Sequence, residues 1–208
     1  MFKKLFSENR INWLQVILFA VALGLYTGVI CLFPAIRETS LHDIAVSYEF
    51  WVFFAVIIVV KCGKNWEAAL KCFLFFLIST PLCYAIQVLA GSLEMDKAIM
   101  YARNWMLPVF ATLPGGFIAW YCKKQNTFGA VILGLGNTII AVMALYYVGQ
   151  FLHHMPHHIV TIILDIAMII IMSVCIQKEK KNRIISLVIP AVLGVGIFVF
   201  NMFTGILF

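Results

Sequence analysis

Asp165 lies in the middle of an apolar stretch, VTIILDIAMIII, where an acidic side chain is unexpected. His158 and Thr161 precede it at spacings that place all three side chains on one face of a helix. An ionisable group inside a membrane is costly and is by default a functional candidate, so this stripe could carry protons or cations to a buried acid. The alternative is a protonated or hydrogen-bonded aspartate that only fixes helix packing.

A run of histidines begins just before this stripe. Imidazole binds zinc and copper and titrates near neutral pH, so the run could hold a metal together with Met155 or His42, or sense external pH. Adjacent histidines rarely point at one metal, however, and Pro156 restricts the turn between them. We therefore favour polar residues that close a tight helical hairpin, and we predict no cofactor. The run consists of His153, His154, His157 and His158.

Other polar residues are predicted at a depth similar to that of Asp165. A symmetric hairpin around the histidine run would place Tyr146 level with Asp165, and Asn201 and Gln87 fall in the same half of their helices. Polar groups at this depth need partners, which suggests a shared pocket for a small solute or ion. The predicted binding residues are Asp165, Thr161, His158, Tyr146, Asn201, Gln87, Pro114 and Gly115.

Pro114 and Gly115 belong to an apolar segment that is rich in helix-weakening residues, NWMLPVFATLPGGFIAW at 104–120. Pro114 denies a hydrogen bond to the carbonyl group of Phe110, and such unpaired groups are costly in lipid. The segment is therefore predicted to be kinked or locally unwound and shielded from acyl chains. It is either a kinked core helix without a binding role or a discontinuous helix that lines the pocket.

Composition identifies the environment in which these residues must be held. The chain has 208 residues, of which 63% are hydrophobic and 12% charged, and its mean hydropathy is +1.01. A membrane-spanning helix needs about 20 apolar residues. The sequence predicts one all-α membrane domain over 1–208, with about seven spans. The second span, 44–60, is doubtful because only its part from Phe50 to Val60 is strongly apolar. The spans are 13–36, 44–60, 70–91, 104–122, 127–152, 157–177 and 184–208.

Basic residues predict the orientation of this bundle. With a cytoplasmic N-terminus, 12 of the 15 Lys and Arg residues fall on the inner side, as the positive-inside rule requires. The C-terminus is then extracytoplasmic, and the loop at 37–49, with Asp43 and Glu49, gives a mildly acidic outer face. We expect a multi-pass protein of the cell membrane, and the positive charge needs no nucleic-acid partner to explain it.

Three classes of function remain open at this point. The sequence has no Gly-rich phosphate loop, no paired-carboxylate motif and no Ser/His/Asp pattern with usable spacing. A transporter of a small solute or ion, or the membrane subunit of one, is favoured because a broken helix beside a buried acid is typical of transporters. The alternatives are a membrane-embedded enzyme that uses the histidines and Asp165, and a non-catalytic assembly or sensing protein.

Overall fold

The protein folds into α-helices over nearly all the residues that can be placed. The computed structural model describes residues 6, 10–37, 39–152 and 158–204, except for the side chain of Met202. Within these residues the chain forms no strand, and short 3-10 turns occur at Pro34–Ile36 and Trp120–Lys123. The helices are α1 (Trp13–Ile30), α2 (Ser40–Val46), α3 (Tyr48–Val60), α4 (Asn65–Leu89), α5 (Met95–Ala119), α6 (Thr127–Leu152), α7 (Ile159–Ile176) and α8 (Lys180–Thr204).

Six of these helices are long and apolar enough to cross a membrane, and the bent pair α2–α3 makes up to seven. The prediction of an all-α membrane bundle is therefore confirmed. Three of the long helices begin earlier than predicted: α4 at Asn65 rather than 70, α5 at Met95 rather than 104, and α8 at Lys180 rather than 184. In α4 the extra turn is stabilised by an ion pair between Glu67 and Lys71, whose charged atoms are 2.5 Å apart. Polar residues thus extend these helices beyond their apolar centres.

The doubtful second span is the bent pair α2–α3, whose axes differ by 52°. Helices α1 and α4 run parallel, because Gly24 packs against Leu82 and Gly28 packs against Ile86. The chain between them must therefore return along the full length of the bundle. It does so through α2 and α3, from Ala45 beside the end of α1 to Phe54, whose ring lies 5.3 Å from that of Phe19.

Helix α3 lies at the centre of the bundle. It contacts α4 on one side and α6 and α7 on the other, and Ile58 and Val59 are fully enclosed. Its 13 residues extend only about 20 Å at 1.5 Å per residue, less than the roughly 30 Å of a hydrocarbon core. This short length is tolerated because neighbouring helices, rather than lipid, cover most of α3.

The second half of the chain forms a compact group of three helices. Gly134 packs against Ile189 and Gly194 against Ala141, so α6 and α8 run parallel at close range. The buried Asn137 of α6 donates hydrogen bonds to Ser173 Oγ of α7 at 3.0 Å and to the Ser186 carbonyl of α8 at 3.3 Å. A buried amide with partners on both neighbours fixes the register of all three helices.

Local unwinding, one of the two forms predicted for the fourth long segment, is wrong, because α5 is helical from Met95 through Pro114 to Ala119. Pro114 and Gly115 lie on the exposed face of α5, whereas Gly116 is buried against α4. A Cβ atom at Gly116 would lie 3.1 Å from the Cα atom of Ala69. Glycine is therefore needed at 116 for close approach of two helices, not for unwinding one of them.

The two adjacent glycines of α5 should respond oppositely to alanine. A Cβ atom at Gly115 meets nothing within 4 Å, so Gly115→Ala should gain about 0.5–1 kcal/mol from helix propensity. We expect the melting temperature to rise by about 1–4 °C. Gly116→Ala forces α5 away from α4 and should lower the melting temperature, since overpacking costs about 1–3 kcal/mol. Thermal unfolding of both variants in one detergent tests this prediction. Equal shifts in the two melting temperatures would contradict the packing of Gly116 against α4.

Candidate functional site

Three acidic side chains from three helices gather inside the bundle: Asp43 of α2, Glu49 of α3 and Asp165 of α7. Only 5% of the surface of Asp43 is exposed, and none of the surface of Glu49 or Asp165. Asp165 lies within electrostatic range of both other carboxyl groups. We call these three residues the carboxyl cluster.

Asp43 is the member of the cluster that has hydrogen-bond partners. Thr161 Oγ1 donates a hydrogen bond to Asp43 Oδ2 at 2.7 Å, and His158 Nδ1 lies 2.6 Å from the same oxygen. The backbone N–H of Thr161 also donates to Ser40 Oγ at 3.1 Å. The ring of His158 stacks on that of Tyr147, with centroids 5.0 Å apart. The first turn of α7 is thereby fixed to α2.

Glu49 and Asp165 differ from Asp43 in this respect. Within the described residues, none of their four carboxyl oxygens accepts a hydrogen bond. The hydroxyl groups of Ser47 and Tyr147 lie near the Glu49 carboxyl but make no hydrogen bond with it. An isolated buried charge costs far more than a buried neutral group. Two such carboxyl groups within electrostatic range of each other are therefore expected to take up a proton or bind a cation.

The predicted stripe of His158, Thr161 and Asp165 does lie along one side of α7. Thr161 and Asp165 are fully buried and His158 is largely buried, so the polar groups lead from a helix end into the bundle. Asp43 links His158 and Thr161, because its Oδ2 atom is hydrogen-bonded to the side chains of both. Asp165 follows Thr161 one turn further along α7.

The other predicted residues lie elsewhere or beside the cluster. Gln87 lies in α4, and its amide donates to the carbonyl of Cys83 at 3.1 Å. Pro114 and Gly115 lie on the exposed face of α5. Tyr146 and Asn201 are half-buried, and neither donates a hydrogen bond to Glu49 or Asp165. The neighbouring Tyr147 is the tyrosine whose hydroxyl group lies near the Glu49 carboxyl.

Asp43 and Glu49 were expected to form part of an acidic outer surface, and their burial corrects that expectation. The signal was available, because the predicted second span at 44–60 already contained Glu49. Ser40 and Asp43 are also spaced to share a helical face. What the sequence could not show is that this face turns towards α7 rather than towards water.

The metal hypothesis for the histidine run falls mostly on residues outside the described part of the chain, namely His153, His154, His157 and Met155. His158 is described, and its Nδ1 faces Asp43. In the described ranges no three His, Cys, Asp or Glu side chains are placed to hold one metal ion. The one histidine of this run that the structure describes, His158, thus lies beside the carboxyl cluster.

A cavity of about 250 Å³ lies between α1, α3, α4 and α5. The α2–α3 bend separates it from the carboxyl cluster. The carbonyl of Ala45, in this bend, accepts hydrogen bonds from two cavity-lining side chains, Thr27 at 2.8 Å and Trp51 at 3.2 Å. The bend therefore carries carboxyl groups on one side and cavity walls on the other. We call this space the aromatic cavity.

Fold and site together define an integral membrane protein of helical-bundle architecture with a buried carboxyl cluster. Comparisons with protein-family models, curated proteins and solved structures gave no match.

Proposed function

We propose that the protein is a small-solute transporter of the cell membrane in which Glu49 and Asp165 hold the coupling proton. The observation that carries this proposal is the burial of both carboxyl groups without a hydrogen-bond partner among the described residues. A purely structural acid would normally be paired, since an unsatisfied buried polar group costs about 1–3 kcal/mol. Such uncompensated acids inside a membrane protein are typical of proton relays.

Access to this pair is supported by the groups above it. The side chain of His158 is 12% exposed, and imidazole accepts and releases protons near neutral pH. Asp43 and Thr161 continue the polar groups inwards from His158. Protons would enter at the end of the bundle where α7 begins and reach Glu49 and Asp165 through these residues.

The α2–α3 bend supplies a physical means of coupling. Asp43 and Glu49 flank Ser47, at which the two helices meet, and Val46 and Trp51 line the aromatic cavity. Loss of a proton from the cluster would place like charges together and push Glu49 and Asp165 apart. Because the same short segment forms the cavity wall, this movement would change the affinity of the cavity for a solute.

The proposal includes the orientation indicated by the basic residues, with the N-terminus in the cytoplasm and the α7 entrance outside. A reporter fused after Phe208 should then be extracytoplasmic, and one inserted at 178–183 should be cytoplasmic. Reporters of opposite compartment preference at both positions check this. Finding both positions on one side of the membrane would contradict the seven-crossing topology.

Infrared spectroscopy tests the proton site without knowledge of the solute. Carboxyl groups exposed to water are ionised at neutral pH, since their ordinary pKa values are near 4. A C=O stretching band of a protonated carboxylic acid in the folded protein at neutral pH would therefore report a buried acid. We expect this band, and we expect its intensity to change with external pH. A spectrum with carboxylate bands alone would overturn the proposal.

A further inference from the structure

The aromatic cavity has the lining of a ligand site rather than of a packing defect. Three aromatic side chains, Trp51, Tyr84 and Trp105, form walls contributed by α3, α4 and α5. Three polar side chains, Thr27, Thr80 and Gln87, also line it. A mainly apolar cavity with a few placed polar groups is the usual form of a small-molecule site.

Two of those polar groups retain unused hydrogen-bonding capacity. Within the described residues, neither the Thr80 hydroxyl nor the Gln87 amide oxygen has a hydrogen-bond partner. Thr80 is nevertheless almost fully buried. A ligand that presents both a donor and an acceptor would satisfy groups that are otherwise left unpaired.

The lining also indicates the charge of the ligand. Among the described residues that line the cavity, none is charged. A charged ligand would leave water without a counter-charge, which is costly in apolar surroundings. The volume of about 250 Å³ exceeds the roughly 150 Å³ of an engineered cavity that binds benzene. One substituted aromatic ring would fit.

We infer that the aromatic cavity binds small, uncharged, single-ring aromatic solutes that carry an amide or hydroxyl group. Their ring would lie among Trp51, Tyr84 and Trp105, where offset and edge-to-face contacts are favourable. Their polar group would meet Thr80 and Gln87. The inference rests on the proposed function only in making this solute the transported one; binding itself requires no proton coupling.

Two natural cysteines allow this site to be tested in the unmodified chain. Cys31 and Cys83 both line the cavity, whereas Cys175 of α7 is half-buried and lies outside it. Burial raises the pKa of the Cys31 thiol, so labelling is carried out at alkaline pH, where more thiolate is present. Purified protein is treated with methyl methanethiosulfonate, and modification of each cysteine is followed by peptide mass spectrometry.

The competing probes are benzamide, benzoate and benzamidine, which share one shape and differ in charge. We expect saturating benzamide to slow labelling of Cys31 at least fivefold and to leave Cys175 within twofold. Benzoate and benzamidine should protect neither. Equal protection by benzamidine would replace the inference with a site for organic cations. If none of the three probes protects Cys31, the inference is overturned.

A second measurement covers the case in which both cavity thiols react too slowly to follow. Gln87→Phe should fill the cavity, and Gln150→Phe makes the same change at a half-buried position of α6 outside it. Benzamide should raise the melting temperature of the wild type and of Gln150→Phe but not of Gln87→Phe. A benzamide shift that survives in Gln87→Phe, or is absent from the wild type, contradicts the inference. Either result leaves the infrared test of the carboxyl pair unaffected.

Discussion

Asp165→Asn is expected to abolish solute-driven proton entry while preserving the fold. Asparagine keeps the size of the side chain but cannot bind and release a proton at neutral pH. Because Asp165 makes no hydrogen bond within the described residues, little native stabilisation is lost, and the melting temperature should stay equal to the wild type or rise by up to about 4 °C. The pH-dependent carboxylic acid band should weaken or vanish.

Proteoliposomes containing a pH-sensitive dye provide the measurement. Uncharged aromatic solutes, benzamide among them, are added outside, and internal acidification is recorded for wild type and variant. Asp165→Asn should reduce it at least about tenfold, because the variant lacks a carboxyl group that binds and releases the coupling proton. Asp96→Asn, the same change at an exposed position of α5, serves as the control. If Asp165→Asn instead unfolds the protein, the acid is structural and the transport proposal should be abandoned.

Asp43→Ala is expected to have the opposite effect, a large loss of stability. Asp43 is buried and holds His158 and Thr161 of α7, so its removal leaves both polar side chains without their partner. Breaking a buried pair by deleting one member costs about 3–5 kcal/mol. For a chain of this size the melting temperature should fall by roughly 6–20 °C.

Asp43→Asn separates charge from hydrogen bonding in this comparison. The asparagine oxygen can still accept from Thr161, so we expect a decrease well below that of Asp43→Ala. Thermal unfolding in the same detergent ranks the stability of the three variants Asp43→Ala, Asp43→Asn and Asp165→Asn. If Asp43→Ala is as stable as the wild type, the bonds between α2 and α7 do not stabilise the protein.

Composition and helical periodicity were sufficient to predict the membrane bundle and the stripe from His158 to Asp165, because both follow from the sequence along one helix. The rest of the carboxyl cluster depends on how helices are rotated against one another. Tyr146 was predicted by depth alone, yet its neighbour Tyr147 is the residue that stacks on His158. One residue turns a side chain by about 100° around a helix of 3.6 residues per turn.

The prediction of local unwinding at Pro114 failed for a different physical reason. The sequence showed correctly that a backbone hydrogen bond is lost, but not how the helix accommodates that loss. Helix α5 stays helical through the proline, and the neighbouring Gly116 is explained by its approach to Ala69. Local sequence reports which bond is missing; only tertiary packing shows what each small residue accommodates.

The central position of α3 has a consequence for how the chain enters the membrane during synthesis. Its short apolar stretch, preceded by two acidic residues that become buried, is the segment least able to partition into lipid alone. Its burial against α4, α6 and α7 supplies what its own hydrophobicity lacks, yet those helices emerge from the ribosome after it. The α2–α3 segment is therefore expected to settle in the membrane only after the later helices that cover it have been made.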